Sequence, residues 1–152
     1  MIKTLFVILH IITAAAWFGL GLRLSSRVRD VLNQSGQAAK ALAEDTGQTV
    51  RFMTLFAVLT LVFSYAAFFW AGGFTNPAYG PQYHAATSLI VVLVLVQWFA
   101  IRGGWQTIQA AVTTGAEGSL DGARKRVVIG TGVGHLLWLV LLVLMFWTPL
   151  MA

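Results

Sequence analysis

Apolar residues run in four long stretches along the chain, and shorter polar segments separate them. The stretches extend from Ile2 to Leu22, Phe52 to Phe74, His84 to Ile101 and Val127 to Thr148. Each is about 20 residues long, which is the length an α-helix needs to cross roughly 30 Å of hydrocarbon. The pattern predicts an all-α integral membrane protein, with residues 1–152 forming one transmembrane four-helix bundle domain.

The composition agrees with a membrane protein and narrows the chemistry. Hydrophobic residues make up 58% of the chain, charged residues only 10%, and the mean hydropathy is +0.78. The chain contains no cysteine, which excludes disulfides, thiolate zinc sites, iron–sulfur clusters and covalent haem attachment within it. Any metal must therefore be held by nitrogen, oxygen or thioether ligands.

Basic residues gather in the first and third connections, whereas residues 75–83 of the second connection contain no Lys or Arg. By the positive-inside rule, this asymmetry predicts an up-down topology with both termini on the external side. The net charge of +5 is then explained by topology and by contact with anionic lipid headgroups, and it requires no nucleic-acid partner. The basic residues are Arg23, Arg27, Arg29, Lys40 and Arg51 in the first connection, and Arg102, Arg124, Lys125 and Arg126 in the third.

The cytoplasmic connections also carry a helical pattern. Val28, Val31 and Leu32 recur at helical spacing after the first stretch, and Trp105 and Ile108 do so after the third. We expect these helices to continue beyond the membrane. Four polar residues inside the spans, Thr13, Ser64, Gln97 and Thr131, are expected to form hydrogen bonds between helices.

Three histidines are the candidate metal ligands. His10, His84 and His135 lie in or at the edge of apolar segments that hold no Asp, Glu or Cys. An imidazole is costly to place in hydrocarbon unless it pairs, lines water or binds a metal. Depth estimated from the charged helix ends makes His10 and His135 the best-matched pair, with His10 and His84 as the alternative.

Two histidines at similar depth on facing helices are what bis-imidazole ligation of a b-type haem requires. Trp17 lies on the face of His10, and Trp138 follows His135 by one turn, so both are candidate cofactor-lining residues. Lipid-facing or interfacial positions explain these tryptophans equally well. Gly130 and Gly134 beside His135 either clear a slot for a flat macrocycle or allow close helix packing.

One resemblance arises in the first stretch, where Leu9-His10-Ile11-Ile12 is followed by Ala14-Ala15-Ala16-Trp17-Phe18-Gly19. This segment resembles the opening helix of small bacterial four-helix membrane families of the membrane protoporphyrinogen oxidase and copper-resistance D types. The likeness covers roughly the first 25 residues. It implies that His10 serves haem chemistry. In the oxidase family a basic lysine of the third helix takes part, and here the nearest substitute is His84.

The expected function is therefore binding of haem b for electron transfer in a bacterial inner membrane. Other subunits of a redox complex, or a second copy of this chain, are the expected protein partners. Two alternatives stay open: a haem enzyme that oxidises porphyrinogens, and a non-catalytic assembly subunit whose histidines hydrogen-bond between helices. If the haem edge points to the cytoplasm, Arg23, Arg27 or Arg51 would pair with its propionates. If the edge points outward, the available partners are Lys3, Tyr79 and Tyr83.

Overall fold

The computed structural model describes residues 1–77, 79–116 and 118–151, with side chains described no further than Phe146. No strand occurs in these ranges. A 3₁₀ turn covers Gly73–Thr75, and a π-helical stretch at Val96–Arg102 lies between α4 and α5 in an otherwise continuous helix. The α-helices are α1 (Ile2–Gly21), α2 (Leu24–Asn33), α3 (Gly36–Trp70), α4 (Pro81–Leu95), α5 (Gly103–Thr114) and α6 (Asp121–Met151).

Four helical segments within these ranges are long and apolar enough to cross a membrane. They are 2–33, 36–70, 81–114 and 121–146. The predicted all-helical, four-span architecture is confirmed to that extent. The first three segments are far longer than about 20 residues, so their predicted continuation into the basic connections is also confirmed.

The turn between α3 and α4 is wider than the apolar pattern predicts. The second stretch was expected to reach Phe74, but α3 ends at Trp70, because Gly72 adopts the left-handed conformation with φ of 99°. The third stretch was expected to begin at His84, but α4 begins at Pro81. Proline favours the first helical position, since its fixed φ suits a helix and its missing N–H is not needed there.

Most of the large, fully buried apolar side chains lie in the half of the bundle that contains α2 and α5. There α6 approaches the third segment closely, because an added Cβ at Gly104 would come within 2.9 Å of Val127. Small residues at such contacts let helix backbones approach where no hydrophobic effect drives association. The largest fully buried apolar side chains are Trp17, Trp105, Leu24, Met53, Ile101, Ile108, Val28, Val31 and Val127.

Buried polar side chains connect three of the four segments. The amide of Gln97, only 1% exposed, accepts from Trp17 Nε1 at 2.9 Å and donates to Thr54 Oγ1 at 3.0 Å. Thr60 Oγ1 lies 3.0 Å from Thr13 Oγ1. The predicted interhelical role of Gln97 and Thr13 is thus confirmed. Thr131 differs, because its hydroxyl donates to Val127 in its own helix.

Candidate functional site

The imidazole of His10 is oriented by a backbone carbonyl of the neighbouring helix. His10 Nδ1 lies 3.2 Å from the carbonyl oxygen of Thr60 on α3. A carbonyl only accepts, so Nδ1 carries a proton, and in the neutral imidazole Nε2 then has the lone pair. A histidine that binds a metal commonly donates its other ring N–H to a backbone carbonyl in this way. His10 therefore has the tautomer of a metal ligand.

His10 lines a cavity of about 270 Å³ between α1, α3, α4 and α6, here called the large compartment. Trp17 and Trp138, both predicted from sequence to line a cofactor site, lie in its wall with His10. Ile11 and Phe146 on its rim are exposed, so the compartment opens sideways between α1 and α6. The remaining lining residues are Ala14, Ala15, Ala57, Thr60, Ile90, Leu93, Leu141, Leu142 and Met145.

Both tryptophans present carbon surface to this compartment. Trp138 Nε1 donates to the carbonyl of Ala14 at 3.2 Å, and Trp17 Nε1 donates to Gln97. Their polar atoms are thus engaged elsewhere. The wall around His10 is consequently almost wholly apolar, as is usual for a small-molecule pocket.

A second cavity of about 140 Å³, here called the small compartment, lies toward the start of α1. It is more polar, because Lys3, Tyr79 and Tyr83 contribute to its lining. The Lys3 Nζ atom lies 6.0 Å from the centre of the Tyr79 ring. The residues that line both compartments are His10, Ile90, Leu141 and Met145.

His135 lies elsewhere, packed among aromatic rings and against α1. Its ring centre is 4.7 Å from that of Phe18 and 5.7 Å from that of Trp17. Its Nε2 atom is buried and has no hydrogen-bond partner among the described residues. A Cβ added at Gly21 would lie only 2.6 Å from this nitrogen, so helix α1 occupies the space that a metal and its macrocycle would need.

The structure does not bring His10 and His135 together. The side chain of His135 contacts Trp17, Phe18 and the backbone position of Gly21, which follow His10 by seven to eleven residues. At 1.5 Å per residue this is a separation of about 10 to 16 Å along α1. The two axial nitrogens of one iron face each other closely across the porphyrin, so this expected pair does not fit the geometry.

His84 also lies outside both compartments. Its ring stacks on Phe74 with centres 5.3 Å apart and meets Phe68 edge-on at 6.3 Å. Phe68 itself lines the small compartment. His84 is therefore part of an aromatic cluster behind the wall, and the alternative axial pair of His10 and His84 does not form here either.

The two candidate glycines make close contacts with protein atoms. An added Cβ at Gly134 would lie 2.7 Å from Trp17 Cη2, and one at Gly130 would lie 2.8 Å from Ala100 Cβ. The gaps left by these glycines are thus filled by neighbouring residues. This geometry corresponds to close helix packing, which is one of the two explanations that the sequence left open.

Two residues of the site were not found from the sequence. Thr60 contributes a backbone carbonyl, which no side-chain pattern indicates. Met145 follows Trp138 by seven residues and Leu141 by four, so helical spacing places it on the face that lines the compartment. This helical spacing was the one feature of the sequence that could have identified Met145 as a lining residue.

Within the described ranges, no group of three or more His, Asp or Glu side chains could hold a metal ion. Comparison of the chain with protein-family models, curated proteins and solved structures found no match.

Proposed function

We propose that this protein binds haem b at His10 and serves electron transfer in a bacterial inner membrane. The observation that carries the proposal is the hydrogen bond from His10 Nδ1 to the Thr60 carbonyl, made by a ring that lines an apolar cavity. This combination leaves Nε2 as a basic nitrogen beside an apolar space.

The two compartments provide residues for the iron and for the propionates of a haem. His10 would hold the iron, and the carbon faces of Trp17 and Trp138 would contact the macrocycle. The lateral mouth between α1 and α6 provides an entry from lipid and lets the ring extend beyond the enclosed volume. Lys3 and the tyrosine hydroxyls of the small compartment would donate to the propionates, as charge-assisted hydrogen bonds to carboxylates require.

When bound, haem b supplies one-electron redox chemistry. The chain supplies position and environment. His10 is held at a fixed angle by α3, and the apolar lining lowers the local dielectric. Both are means by which a protein sets a haem potential.

The orientation predicted from the basic connections completes the proposal. Both termini and the turn near Tyr79 would lie on the external side, which places the small compartment at the external surface. Electron partners would then be other subunits of a redox complex or a second copy of this chain. The basic connections would face the cytoplasm and anionic headgroups.

The test is an absorption spectrum of the purified protein, made with ample haem, together with a pyridine haemochrome assay. The wild type should show a Soret band, and His10→Ala should lose it. Exogenous imidazole should restore it in part. His84→Ala is the matched control, because it removes the same ring outside both compartments. Circular dichroism and size exclusion establish that each variant is folded.

Two outcomes would overturn the proposal. One is a colourless wild-type protein, which would favour the assembly-subunit alternative. The other is a folded His10→Ala variant with wild-type haem content. In that case His10 is not the ligand.

The lateral mouth favours a second candidate, oxidation of a porphyrinogen delivered from lipid. That reaction needs a base near the substrate, and His84, the residue expected to act as one, lies outside the compartment walls. We therefore prefer electron transfer to porphyrinogen oxidation as the function of this protein. Turnover of protoporphyrinogen by the haem-loaded protein distinguishes the two.

A further inference from the structure

Helices α1 and α6 run antiparallel along their contact, with a register fixed at two levels. Trp138 Nε1 donates to the Ala14 carbonyl, and Gly134 lies against the Trp17 ring. Along this contact, residue numbers increase in α1 in the direction in which they decrease in α6. Continuing this register toward the start of α1 places His10 level with Leu141 and Leu142.

Met145 lies about one turn, or 5 Å, further along α6 than the level of His10. In an α-helix the Cα–Cβ bonds tilt toward the N-terminus. The side chain of His10 therefore leans toward the start of α1. That of Met145 leans back along α6, which is the opposite direction because the helices are antiparallel. The tilt brings the imidazole and the thioether toward the same depth.

The cavities agree with this convergence. Met145 and His10 both line the large and the small compartment, so both lie at the junction between them. Met145 is the one residue with a thioether in either wall among the described side chains. The other residues at the junction, Ile90 and Leu141, have no ligand atom.

From this placement we infer that Met145, together with His10, would hold the iron of a bound haem. The inference rests on the proposed function and deepens it. A thioether is a soft ligand, and histidine–methionine ligation raises the haem potential relative to ligand sets without the thioether. The site would thus hold a low-spin iron of comparatively high potential.

The experiment compares Met145→Leu with the wild type, both loaded with haem. Leucine conserves the volume of methionine and lacks a ligand atom, so the fold and the haem content should be retained. The spectrum should change from low-spin to high-spin, the midpoint potential should fall, and the reduced protein should gain binding of carbon monoxide. Met145→His should restore a low-spin spectrum at a potential below that of the wild type.

Met53→Leu is the matched control, since it makes the same change at a buried methionine outside both compartments. It should leave the spin state and potential unchanged. A Met145→Leu protein that binds haem with the wild-type spectrum and potential would overturn the inference while leaving haem binding at His10 intact. Failure of haem binding by the wild type would instead overturn the proposed function.

Discussion

Trp17 of α1 and Gln97 of the π-helical stretch are joined by a buried hydrogen bond of 2.9 Å between the indole Nε1 and the amide Oε1. Gln97 continues the connection to Thr54 of α3. The same indole forms part of the wall beside His10 and fills the gap at Gly134. One hydrogen bond therefore fixes a ring on which both the packing of α6 and the shape of the candidate site depend.

Replacing Gln97 with Leu should destabilise the protein by about 1 to 2 kcal/mol, because the buried Trp17 N–H loses its acceptor. The Thr54 hydroxyl loses the bond that it accepts from Gln97 and keeps the one that it donates to the Val50 carbonyl. Unfolding in mixed detergent micelles measures the loss. Gln106→Leu is the control, since it makes the same change at an exposed position of α5. Equal stability of the two variants would contradict a structural role for the Gln97 amide.

Adding a methyl group at Gly134 should force Trp17 to move, because the new Cβ would lie 2.7 Å from its ring. Overpacking of this kind costs about 1 to 3 kcal/mol. Gly132→Ala is the control: nothing lies within 4 Å of an added Cβ there, and alanine favours a helix by up to about 1 kcal/mol. Thermal unfolding and tryptophan fluorescence compare the variants. A Gly134→Ala protein as stable as Gly132→Ala would show that this contact is not tight.

Filling the large compartment should weaken binding of the cofactor. Ala14→Leu adds bulk directly below His10, and the misfit should weaken haem binding about tenfold or more. The backbone carbonyl of residue 14 is unchanged in this variant, so it still accepts the hydrogen bond from Trp138 Nε1. Ala110→Leu, at an exposed position of α5, should have no effect. Haem titration followed by the Soret band provides the measurement, and unchanged affinity in Ala14→Leu would place the haem elsewhere.

The absence of native cysteine makes the predicted orientation directly testable. Thr75→Cys lies in the turn after α3, and Ser119→Cys lies between α5 and α6, both at exposed positions. An impermeant maleimide should label the first in cells with an opened outer envelope. It should label the second only after the inner membrane is permeabilised. The reverse pattern would invert the topology and place Lys3 on the cytoplasmic side.

The sequence contains enough information for the helices and for one side of the site. Hydropathy and charge indicate four spans, and the spacing of His10, Ala14 and Trp17 places them on one helix face, where the structure has them. The position of His135 could not be predicted in the same way. Its depth follows from the register between α1 and α6, which is set by the contact of Gly134 with Trp17 and not by distance from charged residues. Met145 shares the helical face of Trp138, but only the folded register places it near His10.

The π-helical stretch at Val96–Arg102 corresponds to one extra residue in the third segment, relative to a regular helix. Each residue of an α-helix turns the chain by about 100°. If the same residues formed a regular α-helix without this wider turn, α5 would be rotated against α4 by about that angle. Trp105 and Ile108 would swing out of the core, and exposed neighbours such as Gln106 would turn inward. The π-helical stretch thus absorbs the extra residue, so that the apolar faces of α4 and α5 both pack against the same partner helices.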